Sequence, residues 1–154
     1  MAESIADFSD IADLPAPRDD ASIWYGADMK ARTDWLHVLT PDDVTEIEAA
    51  MRPLAGSEAD IARMTKADFP LPTLGPRLAR ICAEVIDGRG FALLRGMPVQ
   101  QWSVRESATA YFGIGCHFGN ARSQNGKGHV LGHVRDLGRD AVNDPNARIY
   151  QTRE

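Results

Sequence analysis

With 154 residues, 44% of them hydrophobic and 25% charged, the chain has the size and make-up of one ordinary globular domain. A net charge of −5 offers no basic surface for nucleic acid, and the acidic first twenty residues lack the apolar stretch of a secretory signal. No apolar run approaches the roughly 20 residues that cross a bilayer, and Cys82 and Cys116 show no metal or redox spacing, so a cytoplasmic protein without nucleic-acid or membrane partners is expected.

Residues 1–20 carry six acidic side chains against Arg18 alone and read as a mobile lead-in, with order expected to begin at Ile23-Trp24-Tyr25, whose aromatic rings need packing partners. Thr40-Pro41-Asp42-Asp43 predicts a helix start: a capping hydroxyl, a proline suited to the first turn, and two carboxylates at the positive end of the dipole. Val44, Ile47 and Met51 form its apolar stripe, and Pro53 should end it. A loop with Gly56, Pro70, Pro72 and Pro76 follows, with a helical turn around Ile61. Leu74, Leu78, Ile81, Cys82, Val85 and Ile86 then recur at spacings of three and four, the strongest helical pattern in the chain, closed by Gly88 and Gly90. Phe91–Leu94 reads as a short buried strand ending at Gly96-Met97-Pro98. Ser103 and Glu106 predict a capping box for a helix through Ala110, Tyr111, Phe112 and Ile114, weakened by Gly113 and Gly115. Beyond Gly119 the sequence leans to β structure, with strands expected at His129–Val134 and Ala147–Thr152 and a turn at Asn143–Asn146.

Familiar catalytic patterns fail on spacing. Gly126-Lys127 lacks both the earlier glycine, where Ala121 stands, and the following Ser or Thr of a phosphate loop, where Gly128 stands. Gly113, Gly115 and Gly119 miss the dinucleotide fingerprint by one residue and fall in a helical pattern, so close helix packing is the expected role. His129 and His133 would suit two metal ligands on a helix, but on a strand they stand about 13 Å apart, too far for one ion. His37 and His117 have no acidic residue two positions on. Ser123 lacks the context of a nucleophile elbow, and neither cysteine lies in a catalytic motif. No catalytic, cofactor-binding or metal-binding residue is assigned.

Two longer stretches are more specific. One is Gly90-Phe91-Ala92-Leu93-Leu94-Arg95-Gly96-Met97-Pro98-Val99; the other runs from Ser123-Gln124-Asn125 through Gly128-His129-Val130-Leu131-Gly132-His133-Val134-Arg135-Asp136 and then Arg148–Glu154. In this order they resemble the amino-terminal part of the TauD/TfdA-like oxygenases, the taurine-dioxygenase family, over about residues 23–154. The resemblance implies an α+β fold: the amino-terminal portion of a double-stranded β-helix, jelly-roll-like and with outer helices, incomplete within residues 21–154. It also implies Fe(II) and 2-oxoglutarate as cofactors of full-length members, which oxidise small-molecule substrates through a 2-His-1-carboxylate triad that leaves iron positions open. In similar sequences the His-x-Asp motif follows the stretch like Tyr150–Glu154, so truncation before that motif is expected. No ligand can be carried onto this chain, and neither cofactor is expected to bind it alone. The resemblance implies that Ser123, Gln124, Asn125 and Tyr150 lie near the pocket wall of a full-length relative, while as residues they also read as polar strand and turn positions with local hydrogen bonds.

The expected function is therefore a fragment of an Fe(II)/2-oxoglutarate-dependent dioxygenase, inactive alone. The alternative is a non-enzymatic module pairing with another chain that carries the rest of the fold, since a halved β core leaves strand edges open to pairing or self-association.

Overall fold

The structure, a computed structural model, describes residues 19–54, 60–123, 126, 128–132 and 143. Four helices and two strands are present among them: α1 Gly26–Lys30, β1 Leu36–Val38, α2 Pro41–Met51, α3 Leu74–Asp87, β2 Leu93–Arg95 and α4 Val104–Gly115. Short 3₁₀ turns occupy Arg52–Leu54 and Ile61–Arg63. The mixture is α+β, and the described residues sort into two compact units.

The first unit joins residues up to Val38 with Arg80–Arg95. Its centre is aromatic: the Phe91 ring lies 5.1 Å from that of Trp24 and 6.0 Å from that of Trp35, both tilted. The Trp24 indole N–H donates to the Arg89 carbonyl at 3.1 Å, giving the amphipathic ring a polar anchor. The Arg89 guanidinium, 10% exposed, bridges Asp34 at 2.9 Å and Glu84 at 2.8 Å. Asp34 also takes two hydrogen bonds from Arg32, at 2.6 and 3.0 Å. Bonds from Arg32 and then Arg89 hold the Asp34 carboxyl well below the usual carboxylate range.

Strands β1 and β2 pair in parallel, Leu36 with Leu93, His37 with Leu94 and Val38 with Arg95. Directly paired residues share a face, so Leu36, Val38, Leu93 and Arg95 stand on one side and His37 and Leu94 on the other. The first side is open: Val38 is 58% and Leu93 41% exposed. The predicted buried strand thus needs two corrections. It lies two residues later than Phe91 at its start, and it is half exposed because β1 is its sole neighbour among the described residues. Ile86, expected on the apolar stripe of α3, is also exposed.

The second unit comprises Leu39–Ala79 and the chain from Gly96 onward. Phe69, Ile47, Leu74 and Leu78 are fully buried at its core. Helix α2 starts as expected, and Asp43 completes a capping box: the Asp43 amide donates to the Thr40 hydroxyl, and the Asp43 carboxylate accepts from the Thr40 amide at 2.7 Å. Its buried stripe is Asp43, Ile47, Ala50 and Met51, with Val44 half-buried beside them. Glu46, one turn along, accepts from the Thr73 and Leu74 amides at 2.7 and 3.1 Å, so a carboxylate of α2 caps the positive end of α3. Pro76, expected in a loop, lies in the first turn of α3, where a missing N–H leaves no bond unmade.

Helix α4 has the predicted capping box, with Ser103 and Glu106 bonded reciprocally. The packing role expected of its glycines holds at Gly113, where an added Cβ would lie 2.4–2.6 Å from the Phe69 ring. At Gly115 nothing stands within 4 Å. Gly128, at φ 81, and bends at Val130 and Leu131 turn the chain where the sequence predicts the start of a strand, so that strand is absent over His129–Gly132. Asn143 is in a turn as expected. Residues 133–134, 144–146 and 147–152 lie outside the described residues, as does the lead-in up to Arg18.

Candidate functional site: a cleft beside the end of helix α4

Of the four pocket-wall residues expected from the sequence, only Ser123 is described; Gln124, Asn125 and Tyr150 lie outside the described residues. Ser123 is exposed on the irregular segment that follows α4. Two residues before it, Ala121 borders a cleft of about 450 Å³ in the second unit, whose other walls include Asn120, Phe112, Cys116, Thr65 and Lys66. Ser123 itself does not line this cleft. Its opposite wall, Met64–Ala67, had no motif to announce it.

That wall is held by a side-chain turn. The Thr65 amide and hydroxyl both donate to the same Asp68 carboxylate oxygen, at 2.9 and 2.6 Å. These bonds, hydroxyl first, keep the Asp68 carboxyl below its ordinary range. Cys116 caps the end of α4 and donates its thiol to the Met64 carbonyl at 3.3 Å. Burial, and then the nearby Asp68 charge, push that thiol up, so at neutral pH it is a protonated packing group rather than a nucleophile. Alkylation of Cys116 by iodoacetamide at pH 7.5, followed by peptide mass spectrometry, is expected to run several-fold slower than for a free cysteine. A rate equal to or above the free-thiol value would contradict this assignment.

The histidines are dispersed. His117 stands directly after α4, its Nε2 2.9 Å from the Phe69 carbonyl, which makes that nitrogen the N–H donor and leaves Nδ1 buried against the first turn of α3 at Gly75. His37 is on β1 in the other unit, His129 is exposed, and His133 and Asp136 lie outside the described residues. Among the described residues no three His, Cys, Asp or Glu side chains gather as a metal site. A second cleft of about 470 Å³, between Glu48 and Arg52 of one side and Trp102 and Arg105 of the other, has its carboxylates engaged: Glu48 accepts from the Trp102 indole at 3.0 Å and Glu106 closes the Ser103 cap. The described residues thus offer binding walls, without a nucleophile–base pair or a ligand cluster.

No protein-family model matches the chain. It is 30% identical over 141 residues to FR-33289 synthase of Streptomyces rubellomurinus, covering 92% of this chain and 42% of that protein. It is also 30% identical over 126 residues to the taurine hydroxylase-like protein SAT17 of Stachybotrys chartarum, covering 80% of this chain and 32% of that one. The chain spans less than half the length of these curated relatives. No helix among the described residues is long and apolar enough to cross a membrane. Along most of its own length the chain is thus a homologue of TauD-like proteins of the Fe/2-oxoglutarate oxygenase family.

Proposed function

We propose that the chain is the scaffold-bearing part of an Fe(II)/2-oxoglutarate-dependent oxygenase of small molecules, with a jelly-roll-like complete fold, and that it is inactive alone. The observation that carries this reading is the pair of coverages, 92% of this chain against 42% of FR-33289 synthase. The described residues do not fit an Fe(II) site. His37 and His117 belong to different units, the His117 Nε2 is taken by the Phe69 carbonyl, and no carboxylate joins either in a cluster. No step of oxidation is therefore assigned to them. Their contribution is the packed core of the second unit, around which the cleft between Met64–Ala67 and the end of α4 is built. The bound cofactors would supply the oxidising chemistry, and a cytoplasmic setting fits both them and two cysteines without metal or redox spacing.

The purified 154-residue chain, supplied with Fe(II), ascorbate and 2-oxoglutarate, is expected to form no succinate above the protein-free background. Saturable turnover at ordinary enzyme rates would overturn the claim of inactivity. A second reading, a non-enzymatic module that pairs with a chain carrying the rest of the fold, is favoured by one observation: the exposed apolar side of the β1–β2 pair.

A further inference from the structure

The second cleft, of about 470 Å³, lies within the second unit between the last turn of α2 and the first turn of α4. Its apolar surface is the buried Met51 and the half-buried indole of Trp102. Most polar side chains on its walls are already committed. Glu48 accepts the Trp102 indole N–H, Glu106 accepts the amide and the hydroxyl of Ser103 at 2.7 Å each, and the Thr109 hydroxyl donates to the Arg105 carbonyl at 2.9 Å. Arg52 is different. Glu48 stands one helical turn before it, at the spacing where helices form ion pairs, yet that carboxylate is turned to Trp102 instead. Among the described residues the exposed Arg52 guanidinium meets no carboxylate, and Arg105 brings a second positive charge to the same cleft.

A guanidinium without a carboxylate, beside an indole held in place by its own hydrogen bond, makes a recognition pair. The planar fork takes both oxygens of a carboxylate, and the indole covers a flat apolar body. Charge narrows the choice. Two acidic side chains, Glu48 and Glu106, share the walls, and the bonds from Ser103 hold the Glu106 carboxyl below its ordinary range. Each further negative charge on a ligand therefore meets repulsion, which favours a monoanion over a dianion. We propose that this cleft binds a small aromatic monocarboxylate, with its carboxylate on Arg52 and its ring against Trp102 and Met51. The site needs only residues of this chain and does not depend on the oxygenase reading.

The test is an NMR titration of the isotope-labelled 154-residue chain with benzoate as probe. The Trp102 indole N–H is expected to shift saturably, with a dissociation constant on the order of 1 mM for so small a ligand. The indoles of Trp24 and Trp35, bonded to the Arg89 and Arg32 carbonyls in the first unit, should stay in place. Acetate, which lacks the ring, and 2-oxoglutarate, a dianion, should each bind about tenfold more weakly. Arg52→Gln, at an exposed position, is expected to leave the rest of the spectrum unchanged and to weaken benzoate about tenfold. Arg52→Lys keeps the charge but loses the fork, and should fall between Arg52→Gln and the wild type. The absence of a saturable Trp102 shift would overturn the proposal. So would benzoate binding that Arg52→Gln leaves unchanged, or 2-oxoglutarate bound as tightly as benzoate. Because the readout is binding to this chain, it stands or falls separately from any turnover of 2-oxoglutarate.

Discussion

Replacing Phe69 by alanine is expected to destabilise the chain by about 3–5 kcal/mol, the range for truncating a buried phenylalanine. Phe69 is fully buried, and its ring fills the space left by the missing side chain of Gly113 on α4. Gly113→Ala approaches the same contact from the other side. An alanine Cβ would lie 2.4–2.6 Å from three ring atoms, distances that force either the ring or the helix to move. Overpacking of this kind costs about 1–3 kcal/mol, while the better helix propensity of alanine returns roughly 1 kcal/mol. The net loss should be about 0–2 kcal/mol. In the Phe69→Ala background the ring is gone, so Gly113→Ala should turn neutral or stabilising. A double-mutant cycle by urea unfolding would then show a coupling of about 2 kcal/mol. Additive losses would mean that Gly113 and Phe69 do not share this contact.

Gly113 also shows where the sequence was readable and where it was not. Its place in a helical pattern, with the wrong spacing for a nucleotide loop, already favoured close packing; that the partner is Phe69, far away in a proline-rich loop, carried no local signal. Both capped helix starts were legible because a cap is local chemistry: Thr40 with Asp43, and Ser103 with Glu106, lie three residues apart. The cap on α3 was hidden because its carboxylate, Glu46, comes from another helix. Strand β1 was missed for the same reason. Leu36–Val38 is too short to alternate, and only pairing with distant Leu93–Arg95 makes it a strand. The candidate cleft carried no sequence signal: Thr65 and Lys66 stand on its wall, held by the bonds of Thr65 to Asp68, and only the folded chain sets that side-chain turn opposite Cys116.

Asp43 is where the largest electrostatic effect is expected. Its side chain is 7% exposed and meets the Arg77 guanidinium at 3.0 Å, while the same carboxylate accepts from the Thr40 amide and hydroxyl. Burial pushes the Asp43 carboxyl up, but the bonds from Thr40 and then the Arg77 charge outweigh it and leave the group below its ordinary value. Asp43→Ala removes one half of the capping box, about 1 kcal/mol, and strands the mostly buried Arg77. Losing the partner of a fully buried charge costs about 3–5 kcal/mol, and the 29% exposure of the Arg77 side chain reduces this to roughly 2 kcal/mol. A total near 3 kcal/mol is therefore expected at pH 7. The folded carboxyl ionises more readily than the unfolded one, near 3.9, so the folded state binds fewer protons there. The Asp43 contribution is complete above that unfolded value and is lost as pH falls through the lower folded value. Urea unfolding at pH 7, 4 and 3 should accordingly show the gap between wild type and Asp43→Ala narrowing on the acid side. A gap that is constant with pH would assign the whole effect to packing, and one that widens on acidification would reverse the sign of the linkage.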